Sequence, residues 1–281
     1  MDISLGEPRI VALEPKLDHD GALHRAEEKK AGALGSGIGG LISRPKPEDV
    51  VLAVAQRRVE PFWHVVCTAR YQYDRTRTYT VPASAADVRS VTVLGEAYKV
   101  VASGKSPASF AMPVLEHCTE DLREEVWIDG LTAAAVGNGA ALMAGASHEV
   151  AEPATLEQDE TVVVPPDHRA SAIVRQLLAK VMVPLQADQI FEEQLAVPNL
   201  DLVYRPIWAF EFELPAKGKR GVVEVDALTG ETRTATSLKL QINRHISRDA
   251  MFDIGADTIG LIVPGGSIAL KLARVALDRN Y

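Results

Sequence analysis

Histidine and cysteine side chains give this chain its clearest candidates for chemistry, because zinc binds both residue types. The candidate ligands are His64, His117, Cys118 and His148. His64 lies three residues before Cys67, and on a strand that spacing sends the two side chains to opposite faces. A metal site therefore requires ligands that converge from separate strands. A metal-dependent enzyme of this kind is one function that the sequence leaves open.

Other catalytic motifs are incomplete. Residues 35–40 match G-x-G-x-x-G, but a predicted helix precedes them and prolines follow, whereas a dinucleotide site needs a strand before and a helix after. Residues 103–106 lack the first glycine of a phosphate-binding loop, and His148-Glu149 lacks the second histidine of a zinc protease. We therefore expect no cofactor, and a non-enzymatic role is favoured over an enzymatic one.

Composition places the chain in a broad class. Its 281 residues carry a net charge of -8, which argues against a general nucleic-acid binder, because such proteins need a basic surface. Two cysteines are too few for a disulfide scaffold, and the first residues lack the pattern of a secretory signal. These features predict a cytoplasmic protein. No uninterrupted apolar stretch is long enough to span a bilayer.

An internal repeat is the main architectural signal. Pro61-Phe62-Trp63-His64-Val65-Val66-Cys67 recurs in outline as Pro206-Ile207-Trp208-Ala209-Phe210-Glu211-Phe212, and each copy is later followed by an Asp-x-Leu-Thr sequence. The repeat signature consists of Trp63, Asp129, Thr132, Trp208, Asp226, Thr229 and Gly230. Aspartate accepting backbone hydrogen bonds and glycine at positive φ are typical of turns at strand ends, so the signature predicts turn structure first.

Periodicity predicts an α+β fold of two related units, each with a helix packed on an antiparallel sheet. Helices are expected at 47–59 and 186–195, ahead of strands from Trp63 and Trp208, and extra strands at 91–94 and 97–101. The predicted domains are a flexible N-terminal helical arm with a Gly/Pro linker (1–47), a first repeat with an insertion (48–150), a second repeat (151–245) and an apolar helical tail (246–281). The tail ends in a small-residue helix at 268–278.

Residues 185–235 resemble the PepSY domain family, with the sequence Val225-Asp226-Ala227-Leu228-Thr229-Gly230-Glu231 carrying most of the likeness. Residues 48–135 are a possible second, elaborated copy. The resemblance implies a small module of a helix and an antiparallel hairpin, known as a non-catalytic unit in which binding or inhibition of a partner is suspected. It brings no catalytic residues.

These observations favour an intracellular binding, adaptor or assembly protein. A protein partner or self-association into a homo-oligomer is expected, and no specific nucleic acid. The C-terminal tail is a candidate for peripheral membrane contact, which leaves a membrane-surface structural protein as the other alternative.

Overall fold

A computed structural model of the chain describes residues 2–34, 45–102, 107–158, 161–235, 247–253 and 269–272. The strands are β1 Asp2–Leu5, β2 Arg9–Leu13, β3 Val51–Pro82, β4 Ser90–Val93, β5 Glu96–Lys99, β6 Ser109–Asp129, β7 Ser147–Val150, β8 Val162–Val163, β9 Gln189–Leu214, β10 Lys219–Asp226, β11 Thr232–Ala235 and β12 Ala269–Leu272. The α-helices are α1 His19–Glu27, α2 Lys30–Leu34, α3 Gly139–Met143, α4 Ala170–Val181 and α5 Arg248–Phe252. Three short 3-10 helices span Pro47–Asp49, Pro153–Leu156 and Pro215–Lys217.

Two long antiparallel strands, β3 and β9, form the centre of a ten-stranded mixed sheet. β6 pairs antiparallel with the other edge of β3, which it shares with the short parallel strand β8. Along the outer edge of β9 lie β1 and β2, both parallel to it, and then β10, which is antiparallel. β4 and β5 form a separate hairpin.

The predicted α+β fold of two separate units is wrong. Strands dominate the described residues, and the strands of both sequence repeats join in one sheet. The helices described are short, and the longest, α4, has 12 residues. The α+β interpretation failed because hydrophobic alternation shows which face of a strand is buried and not which strand lies beside it. The domain boundaries at 47, 150 and 245 stay predictions.

The two repeats are nevertheless related by a pseudo-two-fold axis that passes through the sheet. Glu60 and Arg205 each precede the proline of their repeat, and they lie directly opposite each other across β3 and β9. The residue after each proline pairs with the signature aspartate of its own repeat, Phe62 with Asp129 and Ile207 with Asp226. We call β2, α1, β3 and β6 copy one, and β8, α4, β9 and β10 copy two.

The copies exchange their first elements. β2 of copy one runs parallel to β9 at Val203 and Tyr204, and β8 of copy two runs parallel to β3 at the equivalent Arg58 and Val59. The helix after each short strand then packs on the other copy, α1 on β9 and β10 and α4 on β3 and β6. The copies are therefore interlocked, and neither has a complete core alone.

The helices α1 and α4 each cover one cluster of the core. α4 buries Leu177 and Leu178 beside Trp63, whose indole N–H donates to the backbone oxygen of His168 at 2.8 Å. α1 buries Ala22 and Ala26 in a second cluster with Phe210 and Phe212 of β9. The apolar positions of α4 recur at helical spacing, which the sequence analysis overlooked.

Several predicted helices are wrong. Of residues 47–59 only Pro47–Asp49 form a short 3-10 helix and β3 starts at Val51, while β9 starts at Gln189 inside the helix predicted at 186–195. β-branched residues favour the extended backbone at the first of these positions. The helix expected near the N-terminus is present as α1 and α2, but residues 2–34 do not form a separate flexible arm, because β1 and β2 belong to the sheet and α1 packs on β9 and β10.

The C-terminal helix predicted at 268–278 is contradicted at 269–272, which form β12. The rest of that helix, the remainder of the tail after residue 253 and the glycine linker at 35–40 lie outside the described residues.

Other predictions are confirmed. The strand through Trp63 and Tyr73 buries its apolar side, and the two insertion strands form the β4–β5 hairpin. β9 and β10 form a hairpin whose connection ends at Gly218, with φ 57°. Glycine adopts such a backbone at little cost, which suits this tight connection.

Candidate functional site

The repeated aspartates each close a turn at the end of a returning strand. Asp226 Oδ1 accepts hydrogen bonds from the backbone N–H groups two and three residues ahead, at 2.8 and 3.1 Å. Asp129 Oδ1 accepts the same two bonds, both at 3.0 Å. The hydroxyls of Thr132 and Thr229 each accept from the N–H two residues further on. The signature thus satisfies backbone donors at two equivalent strand ends.

Each turn ends with a residue in the left-handed region. Gly230 has φ 72°, and the equivalent Ala133 has φ 58°. Alanine pays a steric cost for that backbone, whereas glycine does not. Copy one therefore keeps the same turn, although alanine stands where copy two has glycine.

Seven charged side chains meet around the axis. We call them the axis cluster: Arg58, Glu60, Asp129, Arg205, Glu224, Asp226 and Arg233. At its centre Arg205 joins the two turns, since its guanidinium nitrogens lie 3.2 Å from Asp129 Oδ2 and 4.0 Å from Asp226 Oδ2. The signature aspartates therefore use one oxygen for the turn and the other for this shared arginine.

The rest of the axis cluster pairs buried carboxylates with arginines. Arg233 donates from Nη2 to both oxygens of Glu60, at 2.7 and 2.6 Å, and also bonds Glu224. Arg58 bonds Glu224 as well and lies 3.1 Å from Glu60. A cavity of about 130 Å³ opens beside Arg205 and Glu224. The cluster links strands of both copies through three arginines and four carboxylates, so removing one partner would leave buried charge unpaired.

A second cluster surrounds His64. Its Nδ1 lies 3.0 Å from Asp201 and its Nε2 lies 2.9 Å from Glu125, while Arg9 donates to Asp201 at 2.8 and 2.9 Å. Trp127 stacks on the imidazole with ring centroids 3.8 Å apart. These contacts join β2, β3, β6 and β9 at one point of the sheet.

The carboxylates set the charge of His64. Burial lowers its pKa, but the hydrogen bonds to Asp201 and Glu125 outweigh burial and the net shift is upward. Burial raises the pKa of Asp201, but the hydrogen bonds from His64 and Arg9 outweigh burial, and the net shift is downward. A protonated imidazole donates from both nitrogens and has no lone pair left for a metal.

The other predicted metal ligands lie elsewhere. His117 bonds Asp74 at 2.7 Å, and His148 bonds Glu14 at 2.7 Å. Cys118 is next to His117 on β6 and pairs with Tyr73, nine residues along β3 from His64. Among the described residues no group of three or more histidine, cysteine or acidic side chains could hold a metal ion. The structure thus does not bring the four candidates together.

β3 and β6 continue as a two-stranded ribbon beyond the start of β9. The last β9 pair joins Gln189 to Asp74, but β3 and β6 stay paired as far as Pro82 and Ser109. We call residues 75–116 the arm. Arg75 and Glu116 form an ion pair of 2.6 Å at its base, and Tyr79 and Leu115 are 46% and 52% exposed.

The outer edge of β6 is open along most of its length. In the described part of the chain, the only bridges on that edge involve Ser109 and Ile128, at its two ends. Most carboxylates along β6 already have partners inside the molecule, such as Glu116 with Arg75 and Glu125 with His64. The main-chain N–H and C=O groups of alternate residues between 111 and 125 thus face this open edge, except that Pro113 has no N–H to donate.

Sequence reasoning missed the axis cluster and the Asp201 partner of His64. One signal was available: Glu60 and Arg205 each stand before the proline of their repeat, so antiparallel pairing of the repeats would place opposite charges across the axis. Asp201 had no such signal, because its position depends on strand register alone.

No helix among the described residues is long and apolar enough to cross a membrane. No protein-family model, curated protein or solved structure matches this chain significantly.

Proposed function

We propose that this chain is a non-enzymatic binding or assembly protein that adds an extended segment of a protein partner to the outer edge of β6. The open edge of residues 110–126 carries the proposal, because unpaired N–H and C=O groups accept a further strand in β-strand addition. The histidine at the centre of the sheet supports a structural role for the polar clusters, since both of its ring nitrogens are engaged by carboxylates.

The arm supplies the second argument. A two-stranded ribbon is marginally stable alone, and a third strand would add hydrogen bonds and cover part of its surface. Tyr79 and Leu115 expose apolar surface on this ribbon. A partner strand beside β6 would extend the three-stranded arrangement already present nearer the core, where β9 lies on the other side of β3.

The cytoplasmic placement is part of the proposal and rests on the cysteines. Cys67 and Cys118 are both free, and burial raises the pKa of the Cys67 thiol to about 12, so this thiol stays protonated and unreactive. The likeness of residues 185–235 to PepSY domains stays a prediction from sequence.

The test is capture of a partner from a lysate of the source organism by the tagged full-length chain and by an arm-shortened variant. In the variant, residues 77–114 are replaced by Asn-Gly, which joins Thr76 to Leu115, residues that already face each other. The variant keeps residues 115–126 of the edge, so we expect it to bind the partner more weakly than the wild type and to keep the melting temperature of the core.

Arg220→Ala serves as the control, because Arg220 is 57% exposed on β10 and far from the arm in the sheet order. A partner that binds the wild type and the arm-shortened variant equally would contradict the proposal, as would recovery of the bait alone.

A further inference from the structure

A cavity of about 350 Å³ lies beside the pseudo-two-fold axis, on the face of the sheet that α1 and α4 cover. The paired residues Val59 and Pro206 form its floor, and its walls come from the ends of β2 and β7 and from the residues before β8. The apolar lining consists of Ala12, Leu13, Val59, Val150, Leu156 and Pro206. A cavity of this volume is within the usual range for a small-molecule site.

The open charge in this lining is positive. Arg57 lies two residues before Val59 on the same face of β3, is half-buried, and has no hydrogen bond or ion pair with another described residue. His148 also lines the cavity, but it bonds Glu14 at 2.7 Å. Glu149 alternates with His148 along β7, which directs its carboxylate to the other face of the sheet.

The pseudo-two-fold axis shows that this cation is specific to copy one. Arg57 stands four residues before the proline of its repeat and pairs with Trp208. The equivalent residue of copy two is Leu202, which pairs with Trp63. Leu202 is fully buried in the core cluster that α4 covers. Copy one thus carries a guanidinium beside an open cavity, at the position where copy two completes an apolar core.

A buried hydroxyl stands next to this guanidinium. Thr161 and Arg57 immediately precede Val162 and Arg58, which pair in the parallel ladder of β8 and β3. Thr161 lines the cavity and is 6% exposed, and its hydroxyl has no hydrogen-bond partner among the described residues. A buried hydroxyl without a partner is unusual, because losing water without a replacement bond costs free energy.

We propose that this cavity binds a small carboxylic acid with an apolar body. The carboxylate pairs with Arg57, whose planar guanidinium can donate two parallel hydrogen bonds to it, and the Thr161 hydroxyl supplies a further donor. The hydrocarbon part lies on Val59 and Pro206. The chain has a net charge of -8 and no general attraction for anions, so the recognition is local. The site does not involve β6, and its occupancy is independent of the partner proposed above.

Isothermal titration calorimetry of the full-length chain with three probes tests both parts of this ligand. Octanoate carries the carboxylate and the apolar body, octan-1-ol only the apolar body, and inorganic phosphate only the negative charge. We expect one octanoate to bind per chain with a dissociation constant on the order of 0.1 mM. Octan-1-ol and phosphate should bind at least about tenfold more weakly.

Arg57→Leu removes the cation and installs the residue that copy two holds at the equivalent position, so we expect the melting temperature to be retained. The dissociation constant for octanoate should rise at least about tenfold, whereas that for octan-1-ol should stay unchanged. Arg220→Leu is the matched control, because it removes the same charge from β10, outside the cavity lining. It should leave octanoate binding unchanged.

Leu156→Trp is a second variant that keeps Arg57 and fills part of the cavity. It should reduce octanoate binding at least about tenfold, which keeps the test valid if Arg57→Leu proves unstable. Three results would overturn the proposal. One is a wild-type chain that binds no octanoate at about 2 mM, well above the expected dissociation constant. Another is octan-1-ol or phosphate binding as tightly as octanoate. The third is octanoate binding that neither variant weakens.

Discussion

Copy one and copy two agree at their strand ends and differ at their outer edges. Both returning strands end in an aspartate that closes a turn with the same pair of backbone bonds, and both aspartates reach Arg205. The outer edge of copy two is covered by β1, β2 and β11, whereas copy one leaves β6 and the start of β3 open. The shared part stabilises the sheet, and the divergent part is available for binding.

The histidine of the His64 cluster has no counterpart in copy two. The position equivalent to His64 in copy two is Ala209, which is fully buried and carries no charge. A polar connection between four strands was thus placed on the side that carries the long arm. Because charge-assisted hydrogen bonds are strong and directional, this connection fixes β3 against β6 and β9 inside the sheet, ten pairs before Asp74.

The largest effect is expected where the copies meet. Arg205→Met should lower the free energy of unfolding by about 3–5 kcal/mol, because the buried carboxylate of Glu60 and both signature aspartates lose their shared partner. Urea denaturation measures the loss. Arg220→Met, whose ion pairs are exposed, is the control and should cost about 0–1 kcal/mol. Equal losses in the two variants would refute the central role of Arg205.

His64→Gln should lower the free energy of unfolding by about 2 kcal/mol at pH 6, since two charge-assisted hydrogen bonds are lost. The folded pKa of His64 lies above its unfolded value, so the stabilisation is complete below the unfolded pKa and disappears as pH rises through the folded pKa. The difference between variant and wild type should therefore shrink toward pH 9. His117→Gln, at an exposed residue, is the control. A difference that is constant with pH would contradict the protonated state.

Asp129→Ala and Asp226→Ala should each cost about 1–2 kcal/mol, because each leaves two turn N–H groups without their acceptor. The loss at Asp129 should be slightly larger, since this carboxylate lies closer to Arg205. Thermal unfolding of the two variants side by side measures how equal the copies are. A cost confined to one copy would show that the turns are not equivalent.

The smallest effect concerns the last residue of each turn. Ala133→Gly should raise stability by about 0.5–1 kcal/mol by relieving the left-handed backbone. Gly230→Ala should lower it by about 1 kcal/mol or more, because the new Cβ would also meet the Arg25 guanidinium at 2.7 Å. The measurement tests whether the two changes alter the free energy of unfolding in opposite directions. Destabilisation by both changes would contradict the shared geometry.

The sequence predicted those local features of the fold that residues close in the chain encode. The Asp226 turn, the β9–β10 hairpin and the alternation along Trp63–Tyr73 follow from turn chemistry and from the two-residue period of strands. The helices predicted at 47–59 and 186–195 failed because tertiary pairing extends β3 and β9 through them. The candidate metal ligands were chosen by residue type alone. Whether they come together depends on strand register, which the sequence does not show.

The sequence by itself determined the repeat, its turns and the net negative charge, since these depend on residue types and short spacings. Only the tertiary structure decided that the two repeats share one sheet, exchange their helices and place Glu60 against Arg205. It also decided which edges stay open. The physical reason is that strand partners are chosen by contacts between residues far apart in the chain, and a change of register moves every side chain to a new neighbour.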